Sequence, residues 1–236
     1  MSETVPDTLL VHGSAHGAWC WRDLIPALEA RGHRARAIDL PCHGDDTTPL
    51  AEATLMGYAQ AILDAIDTMG GGPVTLIGHS MGGFPITQAA CLAPEKIRRL
   101  IYLCAYVPAP GKTLVEMRRA GPYQPLDGAL DIAEDGSWFT FKPDRIQDLL
   151  YQDCPEVLPL ARANLCREPT LPANTAVTGS HTVPSSYIRC TRDATIPPNY
   201  QVTMSADWDS TRDLHCGHSP FFACPEALAD TVTDLA

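Results

Sequence analysis

The sequence predicts an α/β fold, in which helices cover a mostly parallel sheet of about six strands. Two observations lead to this prediction. Short apolar runs rich in β-branched residues alternate with longer segments whose apolar residues recur at helical spacing. One of these runs ends in a glycine-rich turn and continues directly into a helical pattern. Strands that alternate with helices in this way pair in parallel, because each helix carries the chain back to the start of the next strand.

The alternation runs through the first hundred residues and resumes after residue 182. The predicted strands are 8–11, 35–39, 73–77, 99–104, 186–191 and 211–215. The predicted helices are 19–30, 54–69, 81–93, 197–205 and 220–235. In the helix 54–69, for example, the apolar positions include Leu55, Tyr58, Ile62 and Ile66, which fall on one face.

The segment 107–182 breaks this rhythm. It holds many of the 21 prolines, two short amphipathic pieces at 143–151 and 156–165, and the aromatic residues Trp138, Phe139 and Phe141. We interpret it as a small helical cap inserted into one domain that spans residues 1–236.

Composition excludes several classes of function. Seventeen Lys and Arg against 28 Asp and Glu give a net charge of −11, which argues against nucleic acid or an anionic membrane as a partner. No apolar run approaches the roughly 18 residues of a membrane span, and residues 1–7 lack the pattern of a secretory signal. The nine cysteines form no C-x-x-C pair, which predicts reduced thiols in a cytoplasmic protein.

The chemistry centres on Gly78-His79-Ser80-Met81-Gly82, which matches the G-x-S-x-G nucleophile elbow. In an elbow, the serine lies on a strained turn between a strand and a helix. Side chains at 78 and 82 would clash with the neighbouring elements, so both positions need glycine. The turn also places Ser80 at a helix N-terminus, where backbone N–H groups can bind a developing oxyanion. We predict that Ser80 is a catalytic nucleophile; a purely structural turn is the alternative.

A serine nucleophile needs a base, and an acid that orients the base; in this architecture the chain order is serine, acid, histidine. We favour His218 as the base, since it lies in the loop between the last strand and the last helix. His215 and His181 remain alternatives. For His33 and His43, a surface or a satisfied core position is the better interpretation.

Asp193 is the favoured acid, because it follows the predicted strand 186–191 directly. Its alternative role is to cap the helix that begins near Pro197. Weaker candidates near the last strand are Asp207, Asp209 and Asp213. A zinc site is not expected: Cys216 lies close to His218 in sequence, but no second pair of ligands accompanies them.

The oxyanion hole should pair the backbone N–H of Met81 with that of Ser14, in the loop after the first strand. Gly13 allows that loop to come close to the serine. Candidate substrate-binding residues are Gly13, His79, Trp138, Phe139, Phe141, Leu149 and Leu150. The cap residues among them would line an apolar acyl pocket, although packing of the cap onto the sheet is an equal alternative.

These residues resemble the plant methylesterase and hydroxynitrile lyase branch of the α/β-hydrolases. The likeness rests on VHGSAHGAW at 11–19, GH…IDLP at 32–41, GHSMGG at 78–83, YIRCTRD…IP at 187–197 and GH at 217–218. It implies an α/β-hydrolase fold, the same triad and a homodimer. The lyases of this branch differ from this chain at three positions: they resemble a sequence with threonine in place of Gly13, cysteine in place of Met81 and lysine directly after the catalytic histidine. In this chain the residue after His218 is Ser219.

We therefore predict a serine carboxylesterase that hydrolyses small carboxylic esters, such as alkyl esters of aromatic or other apolar acids, through an acyl-enzyme. The chemistry requires no metal or organic cofactor. A hydroxynitrile lyase is one alternative. A non-catalytic module that binds a small ligand is the other.

Overall fold

The computed structural model describes residues 7–208 and 210–236. Its strands, in chain order, are β1 (Asp7–Val11), β2 (Arg34–Ile38), β3 (Val74–His79), β4 (Ile97–Leu103), β5 (Leu130–Ile132), β6 (Trp138–Phe141), β7 (Glu168–Pro169), β8 (Ser185–Cys190) and β9 (Thr211–Leu214). Six of them form one sheet in the order β2-β1-β3-β4-β8-β9, and every neighbouring pair is parallel. The predicted parallel sheet of about six strands is confirmed.

Ten α-helices lie in the described residues. They are α1 (Leu24–Glu29), α2 (Leu55–Thr68), α3 (Gly83–Leu92), α4 (Leu114–Ala120), α5 (Ile146–Leu150), α6 (Leu158–Asn164), α7 (Thr170–Ala173), α8 (Pro198–Met204), α9 (Pro220–Ala223) and α10 (Pro225–Leu235). The predicted helix at 54–69 is confirmed as α2, and Thr54 caps it by accepting a hydrogen bond from Gly57 N at 2.9 Å.

Prolines divide two of the predicted helices. The predicted helix 19–30 is a 3₁₀ turn at Ala18–Trp21 followed by α1. A continuous helix would place Pro26, which has no N–H, in its interior, whereas Pro26 lies in the first turn of α1. The predicted helix 220–235 is interrupted at Cys224, whose backbone is not helical (φ −152°, ψ 57°), because Pro225 disfavours helical backbone in the residue before it.

The core lies on both faces of the main sheet, as a parallel sheet requires. On β1, Leu9 and Val11 pack on one face with α2 and α3, while Leu10 packs on the other face with α1 and α10. All three side chains are fully buried. Because both faces are covered, only the ends of the strands are open for a binding site.

The segment between β4 and β8 contains α4 to α7 and a second sheet of three strands, in the antiparallel order β5-β6-β7. The amphipathic pieces predicted at 143–151 and 156–165 contain α5 and α6. The prediction of a helical cap is therefore incomplete. The aromatic residues Trp138, Phe139 and Phe141 lie on β6, where alternate residues face opposite sides.

The topology brings the predicted site together. The carboxyl ends of β1, β3, β8 and β9 lie at the same edge of the sheet, since these strands are parallel. The loops that follow them carry Ser14, Ser80, Asp193 and His218, respectively. Across residues 7–208 and 210–236, no helix has the length and apolar character needed to cross a membrane.

Candidate active site

Ser80 lies directly after β3 with a φ of 54°, a left-handed conformation that is unfavourable for a residue with a side chain. The turn is held by close backbone packing. A Cβ atom on Gly78 would lie 2.5 Å from Gly82 O, and one on Gly82 would lie 2.8 Å from His12 O. The predicted need for glycine at both positions is confirmed, and the strained backbone presents the serine hydroxyl at the tip of the turn.

His218 and Asp193 form a buried pair. The Nδ1 atom of His218 lies 2.8 Å from Asp193 Oδ2, and both side chains are at most 2% exposed. The other carboxylate oxygen, Oδ1, accepts hydrogen bonds from the backbone N–H groups of Thr195 at 2.7 Å and Ile196 at 2.9 Å. Asp193 therefore orders its own loop with one oxygen and orients the imidazole with the other. The alternative role as a helix cap is wrong, since α8 begins at Pro198 after Pro197 and has no side-chain cap.

The other histidine candidates lie elsewhere. His215 is exposed, with its Nδ1 atom 3.2 Å from Thr191 Oγ1. His181 lies at a second, separate cavity. His33 is buried, with its two ring nitrogens 2.9 and 3.0 Å from the hydroxyls of Thr8 and Thr233, as expected for a satisfied core residue.

The weaker acid candidates are also remote from His218. Asp213 is paired with Arg189 at 2.5 Å on the surface, and Asp207 is exposed. Asp209 falls outside the described residues. Within the described chain, Asp193 alone among these candidates contacts a histidine that shares a cavity with Ser80.

The side chains of Ser80 and His218 line the same cavity. No hydrogen bond between Ser80 Oγ and the His218 imidazole is present among the residues that the structure describes. Such bonds are often long in a free enzyme and tighten when substrate binds. The arrangement thus provides a nucleophile, a base and a carboxylate that fixes the orientation of the base.

The loop after β1, residues 12–16, approaches the serine as predicted; we call it the oxyanion loop. A Cβ atom on Gly13 would lie 2.9 Å from Ser80 Cβ and 2.8 Å from His79 Nδ1, which explains the glycine at this close approach. Ser14 and Met81 both line the cavity. Their backbone N–H groups remain the predicted donors to an oxyanion.

The cavity has a volume of about 220 Å³ and is mainly apolar. The apolar residues that line it from the cap and the neighbouring loops are Leu114, Val115, Leu126, Leu130, Ile132, Phe139, Phe141, Leu150 and Ala173. Arg118 and Arg119, at the end of α4, also reach its wall. A mainly apolar cavity that also presents polar groups is typical of a site for a small organic molecule.

Two of the predicted pocket residues were placed wrongly. Phe139 and Phe141 line the cavity, but Trp138 is on the opposite face of β6, where the Arg167 guanidinium lies 4.3 Å from its ring. Leu150 lines the cavity, whereas Leu149 is buried in the core. Adjacent helical residues point about 100° apart, so only one of the two leucines can face the cavity.

Comparison with known proteins now identifies the family. A sequence model described as the alpha/beta hydrolase family matches residues 8–231. Methylesterase 4 of Arabidopsis thaliana is 30% identical, over 97% of this chain and 95% of the relative. A pyrethroid hydrolase of Sphingobium wenxiniae is 31% identical, over 99% of this chain and 88% of the relative. The chain belongs to the alpha/beta hydrolase family.

Solved structures support the assignment of this chain to the alpha/beta hydrolase family. The crystal structure of a pyrethroid hydrolase from Sphingobium faniae is 28% identical and superposes with a TM-score of 0.88, covering 98% of this chain and 97% of that chain. A methylesterase from Arabidopsis, at 24% identity and a TM-score of 0.84, shows the same fold. The predicted resemblance to the methylesterase branch is confirmed.

Gln201 is a residue of the α/β-hydrolase that sequence reasoning missed. Its Nε2 atom donates to Asp193 Oδ2 at 2.8 Å and to Ile196 O at 2.9 Å, and its Oε1 accepts from Cys190 N at 2.9 Å. The side chain is fully buried in α8. The only signal in the sequence is a polar residue in a short helix, which does not distinguish a buried amide from an exposed one.

His79 and Cys104 hold the loop that carries His218. His79 Nε2 donates to His218 O at 2.8 Å, and Cys104 Sγ donates to the same oxygen at 3.6 Å. Burial, reinforced by the neighbouring His218, lowers the pKa of His79 well below its usual value, so its ring is neutral. The predicted contact of His79 with substrate remains a prediction, although His79 does line the cavity.

The side chains of His79, Cys104 and His218 also form the one group of potential metal ligands found among the described residues, with ligand atoms within 4.8 Å of one another. Burial raises the pKa of Cys104 to about 12, so the thiol is protonated. Both His79 and Cys104 already donate to His218 O. We therefore infer that His79 and Cys104 position the base, His218.

Proposed function

We propose that this α/β-hydrolase is a serine carboxylesterase that hydrolyses small carboxylic esters. The observation that carries the proposal is the buried His218–Asp193 pair, which opens onto the same cavity as a serine held on a strained turn. In a serine hydrolase, the carboxylate fixes the orientation of the histidine, and the histidine takes the proton of the serine. The relatives named methylesterase and pyrethroid hydrolase support ester hydrolysis.

The proposed mechanism has two halves. Ser80 attacks the ester carbonyl while His218 takes its proton, and His218 then protonates the departing alkoxide. Asp193 accepts a hydrogen bond from His218 Nδ1 and stabilises the imidazolium. The N–H groups of Ser14 and Met81 bind the oxyanion. A water molecule, activated by His218, then hydrolyses the acyl-enzyme. These steps involve no metal or organic cofactor.

The cavity favours esters with an apolar acid or alcohol part. Its surface is mainly apolar and includes eight leucine, isoleucine, valine and phenylalanine side chains, so a charged group placed against these side chains would lose solvation without gaining a partner. Its volume of about 220 Å³ provides room for a small organic group beside Ser80. We propose alkyl esters of aromatic or other apolar acids as the substrate class.

The lyase alternative is not supported. The curated relatives that match over most of the chain are named esterases and hydrolases. The positions that distinguish the lyases in sequence carry Gly13, Met81 and Ser219, and the cation that would follow His218 is replaced by a buried serine. Without that cation, a cyanide leaving group has no adjacent positive charge from this position.

The decisive experiment measures hydrolysis of p-nitrophenyl esters from acetate to octanoate and of methyl and ethyl esters of aromatic acids. Ser80→Ala is the matched control, and circular dichroism should show that it is folded like the wild type. We expect the substitution to lower kcat by at least about 10⁴-fold. Wild-type turnover in Ser80→Ala would contradict the mechanism. Absence of turnover across the panel, together with failure of a phosphonate probe to label Ser80, would instead support a binding module.

A cytoplasmic location is also part of the proposal. All nine cysteines are free, and the sulfur atoms of Cys190 and Cys216 lie 3.6 Å apart without a bond between them. Thiols that are this close and unpaired are typical of a reducing compartment. Separation of cell fractions followed by immunoblotting would test the location directly.

A further inference from the structure

Ala15, in the oxyanion loop, has an unusual backbone. Its φ is 60°, in the left-handed region, although it is not glycine. A non-glycine residue stays in this region only where its surroundings hold it there, and such residues cluster at functional sites. Ala15 follows Ser14, whose N–H is the predicted oxyanion donor, so a fixed Ala15 backbone limits the positions that Ser14 can take.

Two contacts from the cap hold Ala15. Its N–H donates to Glu168 Oε2 at 2.5 Å, and its carbonyl accepts from Cys166 N at 3.0 Å. Both partners lie about 150 residues later in the chain, at and just before β7. The backbone of Ala15 is therefore bonded on both sides to the cap, and the cap fixes the position of the oxyanion loop.

The burial of the Glu168 carboxylate beside the oxyanion loop is energetically unfavourable. Its side chain is 1% exposed, and its Oε1 has no hydrogen-bond partner in the part of the chain that the structure describes. Carboxylates are almost never buried to this degree without a compensating partner. Both donors instead converge on Oε2: Ala15 N, and His43 Nε2 at 3.0 Å.

His43 supplies the compensating charge. Its ring is fully buried, and its Nδ1 donates to Pro41 O at 3.0 Å, which leaves Nε2 to donate to Glu168. Burial is the largest single influence and favours the neutral imidazole, but the Glu168 carboxylate and a hydrogen bond with Cys42 together raise the pKa of His43 to about 11. Hydrogen bonds to a charged acceptor are shorter and stronger than neutral ones, which suits a group that holds a strained backbone.

We propose that Glu168 is a positioning residue of the oxyanion hole, and that His43 holds its carboxylate in place. Glu168 Oε2 fixes Ala15 in the left-handed conformation, and this aims the adjacent Ser14 N–H at the cavity beside Ser80. The inference rests on the proposed esterase function, because the hole has a task only if an oxyanion forms. A buried ion pair is not required for stability alone, since well-packed apolar residues can replace one without loss.

The test is Glu168→Gln, which keeps the size of the side chain and lets His43 become neutral. Loss of a direct oxyanion donor costs about 10²–10³-fold in kcat, so we expect a smaller loss, about 10–100-fold, from a residue that only positions one. KM should change by less than about threefold. The inhibition constant of a trifluoromethyl ketone, whose adduct with Ser80 bears an oxyanion, should rise by the same factor as kcat/KM falls. Active-site titration with a phosphonate corrects for any unfolded fraction.

Gln88→Met provides the matched control. Gln88 is a buried residue of α3, and it also bonds to the segment between β4 and β8, since its Oε1 accepts a hydrogen bond from Thr178 N at 2.9 Å. It does not contact the oxyanion loop. This variant should lower Tm while kcat and the ketone constant change by less than about threefold. If Glu168→Gln behaves in the same way, the proposal is overturned while the esterase function stands, because wild-type turnover and its loss in Ser80→Ala are measured separately.

His43→Gln covers the case in which Glu168→Gln does not fold. The glutamine amide can still donate to Glu168 but carries no charge. We expect the ketone constant to rise by about 3–10-fold with KM nearly unchanged, since a neutral donor holds the carboxylate less firmly. An unchanged ketone constant in folded His43→Gln would also overturn the proposal.

Discussion

The nucleophile and the oxyanion hole of this α/β-hydrolase are built in different ways. The turn that carries Ser80 is formed by residues 78–82, and the glycines within it supply the space that the turn needs. The oxyanion loop, by contrast, depends on side chains that are distant in the chain. Tyr151 OH donates to His16 Nε2 at 2.7 Å, and Glu168 accepts from Ala15 N at 2.5 Å.

This difference determines how each region should respond to substitution. In the elbow, backbone packs directly against backbone. An added atom would therefore clash with backbone atoms, and the strand and helix around it would have to shift. The oxyanion loop and the acid are held by individual hydrogen bonds, so removing one bond leaves the rest of the structure in place. Atoms added at the glycines of the elbow should therefore affect folding most, whereas substitutions of the distant partners should cost less stability and should also disturb the site.

The largest effect is expected for Gly78→Ala. The added Cβ would lie 2.5 Å from Gly82 O and 2.8 Å from Ile86 Cδ1, and the first of these atoms belongs to the backbone. Overpacking of a core usually costs about 1–3 kcal/mol. Because a backbone atom cannot turn away as a side chain does, we expect about 4 kcal/mol or more, or no folded protein. Urea unfolding followed by circular dichroism measures it.

Gly72→Ala is the matched control, since it lies two residues before β3 and its Cβ would contact nothing within 4 Å. There we expect no loss, and a gain of up to about 1 kcal/mol from the reduced entropy of the unfolded chain. Equal stability of the two variants would show that the elbow is not packed as tightly as the structure indicates.

The elbow is also the part of the site that the sequence predicted best. Ser80, Gly78 and Gly82 are close in sequence, and the strand and helix around them are signalled by residues of the same segment. Asp193 and His218 were predictable because a parallel sheet places the loops after its strands at one edge. Their contact at 2.8 Å depends on tertiary packing, which no local pattern encodes.

Gln201→Met should have the second-largest effect. It removes the amide that donates to Asp193 and Ile196 and accepts from Cys190 N, and it leaves buried polar groups without partners. Each such group costs about 1–3 kcal/mol, so we expect a loss of about 2–4 kcal/mol in the free energy of unfolding. With Asp193 less firmly oriented, kcat should fall about tenfold while KM stays nearly constant.

Val202→Ala is the control in the same helix, because Val202 is adjacent in sequence and 50% exposed. It should change stability by less than about 0.5 kcal/mol and leave kcat unchanged. A Gln201→Met enzyme that is less stable but fully active would restrict Gln201 to a structural role.

The residues that the sequence did not predict share one property: each acts through a partner far away in the chain. Glu168 lies in a Pro-rich segment with no periodic signal, and Gln201 is a lone amide in a short helix. His43 was interpreted as a surface or satisfied core residue, and its charged state depends on Glu168, 125 residues later. In the cap, the alternation that separates Trp138 from Phe139 was visible only after β6 had been identified as a strand.

The smallest effect concerns His16, which links the oxyanion loop to the cap. Its Nδ1–H donates to Ser14 O at 2.8 Å while its Nε2 accepts from Tyr151 OH at 2.7 Å, and only a neutral imidazole can do both. Burial lowers the pKa of His16 to about 4. In the unfolded chain the group titrates near 6.5, so the unfolded state binds more protons between these values and stability falls as the pH decreases from 6.5 to 4.

His16→Gln removes this titration but keeps an amide donor and a carbonyl acceptor. Between pH 6.5 and pH 5, the wild type should lose about 1–2 kcal/mol more stability than the variant, or a few degrees of Tm. Thermal unfolding of both proteins across this range measures the difference, and the contributions of other titrating groups largely cancel because both chains carry them. Parallel curves would mean that His16 is not held neutral, and the bond from Tyr151 would then be too weak to tie the oxyanion loop to the cap.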